Sequence, residues 1–159
     1  MGSKTTNKTV SSYVGAIGEA FLFYRVIRYN LHGKALLKTN PKDYSVGTDF
    51  RTRMAGYRVA DTGSLIENTV CFQLLYEGRS VRVGKLYGKE VDFVATKEGR
   101  VLYVQATDEM FASETREREI APLKSIRDNY EKIVVVRQGF CDTDIDDICI
   151  VSERDFSSS

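Results

Sequence analysis

Glu90-Val91-Asp92-Phe93-Val94-Ala95 and Leu102-Tyr103-Val104-Gln105-Ala106-Thr107 are two β-rich runs separated by the turn signal Lys97-Glu98-Gly99-Arg100. Gly99 can supply the positive φ that a tight hairpin needs. With Glu98-Gly99 as the loop, Val91 faces Ala106, Phe93 faces Val104 and Ala95 faces Leu102. That face is wholly apolar and is the expected core. Side chains alternate along a strand, so the other face pairs Glu90 with Thr107, Asp92 with Gln105 and Val94 with Tyr103. A one-residue bulge would break this register. As it stands, the hairpin sets two carboxylates and an amide on one sheet face, a place where oxygen ligands could hold a divalent cation.

Around the hairpin the periodicity alternates between helix and strand. Ser64 and Glu67 have capping-box spacing, and Leu65, Ile66, Val70, Leu74 and Leu75 form an apolar helical face that Gly78 ends. Strands are expected near residues 80–86, 90–96 and 101–106. A long helix is expected over about 114–130, with Ile120, Leu123, Ile126 and Tyr130 on one stripe and Glu114 placed to pair with Arg118. Ile133-Val134-Val135-Val136 and Ile148-Cys149-Ile150-Val151 read as short buried strands. Helix, three strands, helix, two strands is an α/β order. It implies a mixed central sheet flanked by helices.

Asp61-Thr62-Gly63 breaks the chain before this unit, so residues 61–159 are the expected core and 1–60 a smaller N-terminal element. Tyr13, Ile17, Phe21 and Tyr24 predict a helix over about 10–22. The segment from Tyr24 to Tyr29 alternates as a strand, Asn30-Leu31-His32-Gly33 is turn chemistry, and Ala35-Leu36-Leu37 can return antiparallel. A helix followed by a basic hairpin suits a winged-helix element, and suits a plain packing hairpin equally. His32, with no Asp or Ser partner in view, reads as a surface residue.

The 159 residues fit one domain, or one domain with a small appendage. With 42% hydrophobic residues and two prolines the chain is a folding sequence rather than a disordered one. A net charge of +1 gives no global polyelectrolyte signal. Residues 25–58, however, carry eight Lys/Arg against two Asp/Glu, whereas residues 139–159 carry six Asp/Glu against Arg154 alone. Arg25, Arg28, Lys34, Lys38 and Lys42 are therefore the candidates for phosphate contact, with a solvated surface the plainer reading. Three cysteines without CxxC spacing fit a reduced, cytoplasmic protein, and Cys71 fits a small buried hydrophobe. No run approaches the ~20 apolar residues of a membrane span, so no membrane partner is expected.

The order of elements, with an acid in the first helix and Glu-Val-Asp-Phe on the second strand, resembles the restriction-endonuclease-like PD-(D/E)XK fold. More narrowly, the chain resembles the C-terminal domain of unknown function that follows the ATPase module in archaeal and bacterial AAA-type ATPases. The residues that carry this include Leu36-Leu37-Lys38-Thr39-Asn40-Pro41-Lys42-Asp43-Tyr44, Leu65-Ile66-Glu67-Asn68-Thr69-Val70 and Tyr87-Gly88-Lys89-Glu90-Val91-Asp92-Phe93. Tyr103-Val104-Gln105, Arg116-Glu117-Arg118-Glu119 and Ile126-Arg127-Asp128-Asn129-Tyr130 continue it. The stretch Val46-Gly47-Thr48-Asp49-Phe50 departs from the Asp-Thr-Gly order of that family.

The resemblance implies a restriction-endonuclease-like core preceded by a helix and β-hairpin. It also implies a metal site of Asp92, Glu67 and Gln105. In active relatives the segment occupied here by Gln105-Ala106-Thr107 is E-x-K, whose lysine positions water and stabilises charge. Threonine has neither the charge nor the reach. The expected function is thus a non-catalytic accessory module of an AAA-type ATPase, bound to DNA or a protein partner and needing no cofactor. The alternative is a divergent Mg²⁺-dependent nuclease acting on DNA or RNA through Glu67, Glu90, Asp92 and Gln105. The chain has no Gly-x-x-x-x-Gly-Lys-Ser/Thr loop, so ATP binding by that device would need an ATPase module elsewhere in a longer protein.

Overall fold

The computed structural model describes residues 23–45, 62–139 and 143–158. The expected helix over 10–22 and the Val46–Phe50 loop lie outside the described residues, as does the side chain of Ser64 in the expected capping box. In chain order the described strands are β1 (Phe23–Asn30), β2 (Ala35–Ser45), β3 (Ser80–Leu86), β4 (Lys89–Lys97), β5 (Arg100–Met110), β6 (Glu131–Gly139), β7 (Thr143–Ile145) and β8 (Ile148–Ser152). The helices are α1 (Thr62–Tyr76), α2 (Ser113–Lys124) and the single turn α3 (Glu153–Phe156).

All eight strands join one sheet in the order β2-β1-β3-β4-β5-β6-β8-β7. It is mixed: β1–β3, β5–β6 and β6–β8 pair in parallel, and the remaining neighbours are antiparallel. The fold is therefore α/β with a mixed central sheet, as the order of elements predicts. The basic hairpin β1–β2 hydrogen-bonds to this same sheet, through Arg28, Tyr29 and Asn30 against Val83, Gly84 and Lys85.

The hairpin register holds where it is local. Phe93 pairs with Val104, Val94 with Tyr103, Ala95 with Leu102 and Lys97 with Arg100. Glu98 and Gly99 both have positive φ, +51° and +78°, as a two-residue turn matched to strand twist requires. Tyr87-Gly88 and Asp146-Asp147 close the β3–β4 and β7–β8 hairpins in the same way.

Closer to the acidic residues the register changes. Arg82 pairs with Val94, but Gly84 pairs with Val91, so Asp92 and Phe93 together oppose Val83. This two-against-one bulge turns the strand over. Val91 leaves the face of Phe93 and joins Val94 and Tyr103 against Ile120 and Leu123 of α2. Phe93, Ala95, Leu102, Val104 and Ala106 pack on Ile66, Val70, Cys71 and Leu74 of α1. The expectation that Val91 shares the Phe93 face is corrected by the bulge. So is the expectation that Asp92 lies across from it with Val94.

α1 buries Ile66, Val70 and Leu74 completely, each contributing roughly 1.5–3 kcal/mol by removal from water. It stops as its sequence predicts. Gly78 adopts φ +77°, its N–H donates to the Leu75 carbonyl at 2.9 Å, and the Arg79 N–H donates to the Leu74 carbonyl at 3.1 Å. α2 is shorter than the helix expected over 114–130. It ends at Lys124, with Ser125 and Ile126 donating to the Pro122 and Leu123 carbonyls. Past that end Asp128 accepts from the Tyr130 N–H, a local turn that competes with helix. Ile126 is buried as the stripe predicts, but Tyr130 is half exposed and off the helix. Arg118 pairs with Glu119 at 3.0 Å.

Candidate functional site: a carboxylate cluster under the first helix

The bulge brings the acidic residues of β4 to the α1 side of the sheet, where three other elements meet them. Lys42 of β2 is ion-paired with Glu67 of α1 and lies 3.5 Å from Glu90. Glu90 also binds Lys85 of β3 at 2.8 Å and Arg28 of β1. Tyr44 donates its hydroxyl to Glu67 at 3.4 Å and packs against Phe93 with ring centroids 5.5 Å apart and the planes tilted by 46°, and the Lys42 ammonium lies 5.7 Å from the Tyr44 ring centroid. The end of β2 is tied to α1 by Asn68 donating to the Ser45 hydroxyl at 3.3 Å.

Asp92 is the innermost member, 6% exposed. The β4–β5 backbone pairing runs from Lys97–Arg100 to Phe93–Val104, and beyond it side chains take over. The Ala106 N–H donates to Asp92 Oδ2 at 2.9 Å, and the Asp92 N–H donates to Gln105 Oε1 at 3.3 Å. Gln105 lies between Val104 and Ala106 of the α1 face and pairs with Val134, which packs under α2. By alternation its side chain starts from the α2 face, as does that of Thr107. Gln105 therefore meets Asp92 at the backbone rather than carboxylate to amide.

Burial sets the electrostatics. Desolvation first, and the charge of Glu67 second, push the Asp92 carboxyl up to about 7, against the pull of the Ala106 N–H and of Lys42. Burial pushes the same way on Glu90, but Lys85, Arg28 and Lys42 outweigh it and hold that carboxyl down at about 2. Burial also opposes the charge of Lys42, and Glu67, Asp92 and Glu90 together reverse this and raise its pKa. Tyr44 is pushed well above the usual phenol range by burial and then by Glu67. The Cys71 thiol, fully buried, goes to about 12 by burial. Beside the cluster a cleft of about 600 Å³ opens at the end of β5, lined by Glu67, Thr107, Glu109 and Arg118 among others.

This chain is 40% identical over 147 residues to an uncharacterized protein of Haemophilus influenzae. The match takes in 92% of this chain and 36% of that protein, so the chain spans about a third of the length of the curated relative it matches. No family model matches the sequence. No solved structure matches it.

The structure thus gathers Glu67, Glu90 and Asp92 around Lys42, with Gln105 behind them. Among the described residues no group of three His, Cys, Asp or Glu side chains is arranged to hold a metal ion. Of the five cations expected at phosphate, Arg28 and Lys42 belong to this cluster, and Arg25 is paired with Asp43 at 2.8 Å. Lys34 and Lys38 are exposed. His32 is also exposed, with Nδ1 2.9 Å from the Tyr87 hydroxyl. Lys85 and Tyr44 are site residues that the sequence reading missed. Lys85 had a signal, since a two-residue turn at Tyr87-Gly88 places it opposite Glu90. Tyr44 had none, being far from Glu67 along the chain. No described helix is long and apolar enough to cross a membrane.

Proposed function

We propose that this chain is a non-catalytic accessory module on a restriction-endonuclease-like scaffold. It would be the C-terminal domain of an AAA-type ATPase, acting in the cytoplasm by binding DNA or a protein partner. The carrying observation is that the acidic cluster is neutralised from within. Lys42, Lys85 and Arg28 face Glu67 and Glu90, and one Asp92 oxygen accepts the Ala106 N–H. The Gln105 oxygen is likewise engaged, by the Asp92 N–H. Mg²⁺ requires several hard oxygens with lone pairs turned to one point, and these donors, as placed, are turned to protein partners instead. The donor set does not fit the ion. A relative about two and a half times as long is consistent with a module inside a larger protein.

One observation favours the alternative of a divergent nuclease. Lys42 brings an ammonium into the carboxylate set, the group that Gln105-Ala106-Thr107 lacks. A single experiment separates the two. The pure protein and its Lys42→Met and Asp92→Asn variants are incubated with duplex and single-stranded DNA and RNA in Mg²⁺ or Mn²⁺, and Tm is followed with and without the ions. The module reading expects intact substrates and no stabilisation by metal. Cleavage by the parent protein that both substitutions abolish would replace it with the nuclease.

A further inference from the structure

The opposite face of the sheet carries a separate feature. α2 covers only part of that face, and between its C-terminal segment and the β1–β2 turn lies an open groove of about 1410 Å³. That exceeds the roughly 300–1,000 Å³ of a small-molecule pocket. Its floor is the core packed under α2, with Leu86, Val94 and Tyr103 among the lining residues.

Aromatic rings border the groove in pairs. Tyr103 and Tyr130 have centroids 6.4 Å apart, and His32 and Tyr87 are 5.2 Å apart. The Arg82 guanidinium lies 5.8 Å from the centroid of Tyr29. Three of these rings face solvent: His32 is exposed, Tyr87 is 74% exposed and Tyr130 49%. Tyr87 holds this position at φ +48°, in a turn where Asn or Gly would be unstrained. Neither core packing nor turn chemistry requires a tyrosine there. The charge is one-sided as well. Lys34, Arg82 and Arg127 line the groove, together with Lys124, which is paired with Asp146, against the lining carboxylate of Asp128, which itself accepts the Tyr103 hydroxyl at 2.8 Å.

We infer that this groove binds single-stranded nucleic acid, with bases stacked on Tyr87 and Tyr130 and phosphates held by the surrounding cations. The inference rests on the binding-module reading and gives it a partner and a face, away from the carboxylate cluster. A duplex offers phosphates but keeps the faces of its bases stacked inside, and an acidic peptide would engage the cations but leave the rings unused. A single strand uses both.

The test is fluorescence anisotropy with labelled dT15 and rU15 over a range of NaCl concentrations. The parent protein is expected to bind with affinity falling as salt rises. Tyr87→Asn with Tyr130→Ala, both at exposed positions, is expected to weaken binding about tenfold or more with the salt slope unchanged. Arg127→Gln is expected to reduce the slope by about 0.7, and Lys38→Gln to leave affinity and slope as they were. Circular dichroism establishes that each variant is folded. Binding unaffected by the tyrosine pair but lost in Lys38→Gln would overturn the groove and leave the binding-module reading standing. Absence of binding to either oligonucleotide at low salt, or equal binding of poly-glutamate at the same tyrosines, would also overturn the inference. Failure of the module reading itself would register separately, as metal-dependent cleavage of the oligonucleotides.

Discussion

Asp92 is the residue on which the site turns. In an unfolded chain an aspartate titrates near ~3.9, whereas burial beside Glu67 moves Asp92 to about 7 in the fold. Between those values the folded state keeps a proton that the unfolded state has released, so stability falls as pH rises through that window. Asp92→Asn keeps an oxygen for the Ala106 N–H and removes the charge. Its Tm should exceed that of the parent by on the order of 5 °C near pH 8. The gain should shrink towards zero near pH 4, where both side chains are neutral. Thermal unfolding at the two pH values decides this, and an equal difference at both would show that the Asp92 charge is not what opposes folding.

At the scale of the element, the decisive object is the bulge in β4, and Gly84 is the partner that permits it. A Cβ on Gly84 would lie 2.9 Å from Val94 Cγ2, 3.0 Å from Val91 Cβ and 3.2 Å from Leu31 Cδ1. The Val91 Cβ is fixed to the backbone and cannot swing aside, so Gly84→Ala must push β3 and β4 apart where the register shifts. Overpacking of this kind costs roughly 1–3 kcal/mol. A Tm lower by roughly 5 °C is expected in a circular dichroism melt. An unchanged Tm would mean that the strands yield without cost. The bulge also marks the limit of what the sequence declares. Turn residues and strand alternation are local, so the Lys97–Arg100 closure and the apolar pairs from Phe93 to Ala95 could be read directly. Glu-Val-Asp-Phe-Val alternates like a regular strand, and nothing within it announces that Asp92 and Phe93 share one partner. The same holds for α2, where a helical stripe continues through Ile126 although the helix ends at Lys124 and the Asp128 turn follows. Lys42 could be singled out as a cation, but its place beside Glu67 and Glu90 depends on how β2 lies against α1.

Across the whole molecule, one carboxylate gathers three strands, two of them from the basic hairpin. β1 meets β3 over three paired residues, extended by the Leu31 N–H donating to the Lys85 carbonyl at 3.0 Å. Val26 and Tyr44 are buried in the core under α1, and Glu90 is the hub of the ion pairs that add to this, receiving Arg28 from β1, Lys42 from β2 and Lys85 from β3. Glu90→Gln leaves three cations without their shared partner, while the apolar packing of β4, β5 and β6 is untouched. Amide hydrogen exchange in β1 and β2 should then quicken about tenfold, with the protection of β4 to β6 retained. The parent protein should reach the same state with acid. A carboxyl held at about 2 in the fold titrates near ~4.3 when unfolded, so its contribution is present above that value and is lost as pH falls through about 2. Acidification should therefore loosen the hairpin in the parent and have little further effect on it in Glu90→Gln. Uniform exchange across the sheet in the variant would instead mean that hairpin and core unfold as one cooperative unit, held by the sheet hydrogen bonds rather than by Glu90.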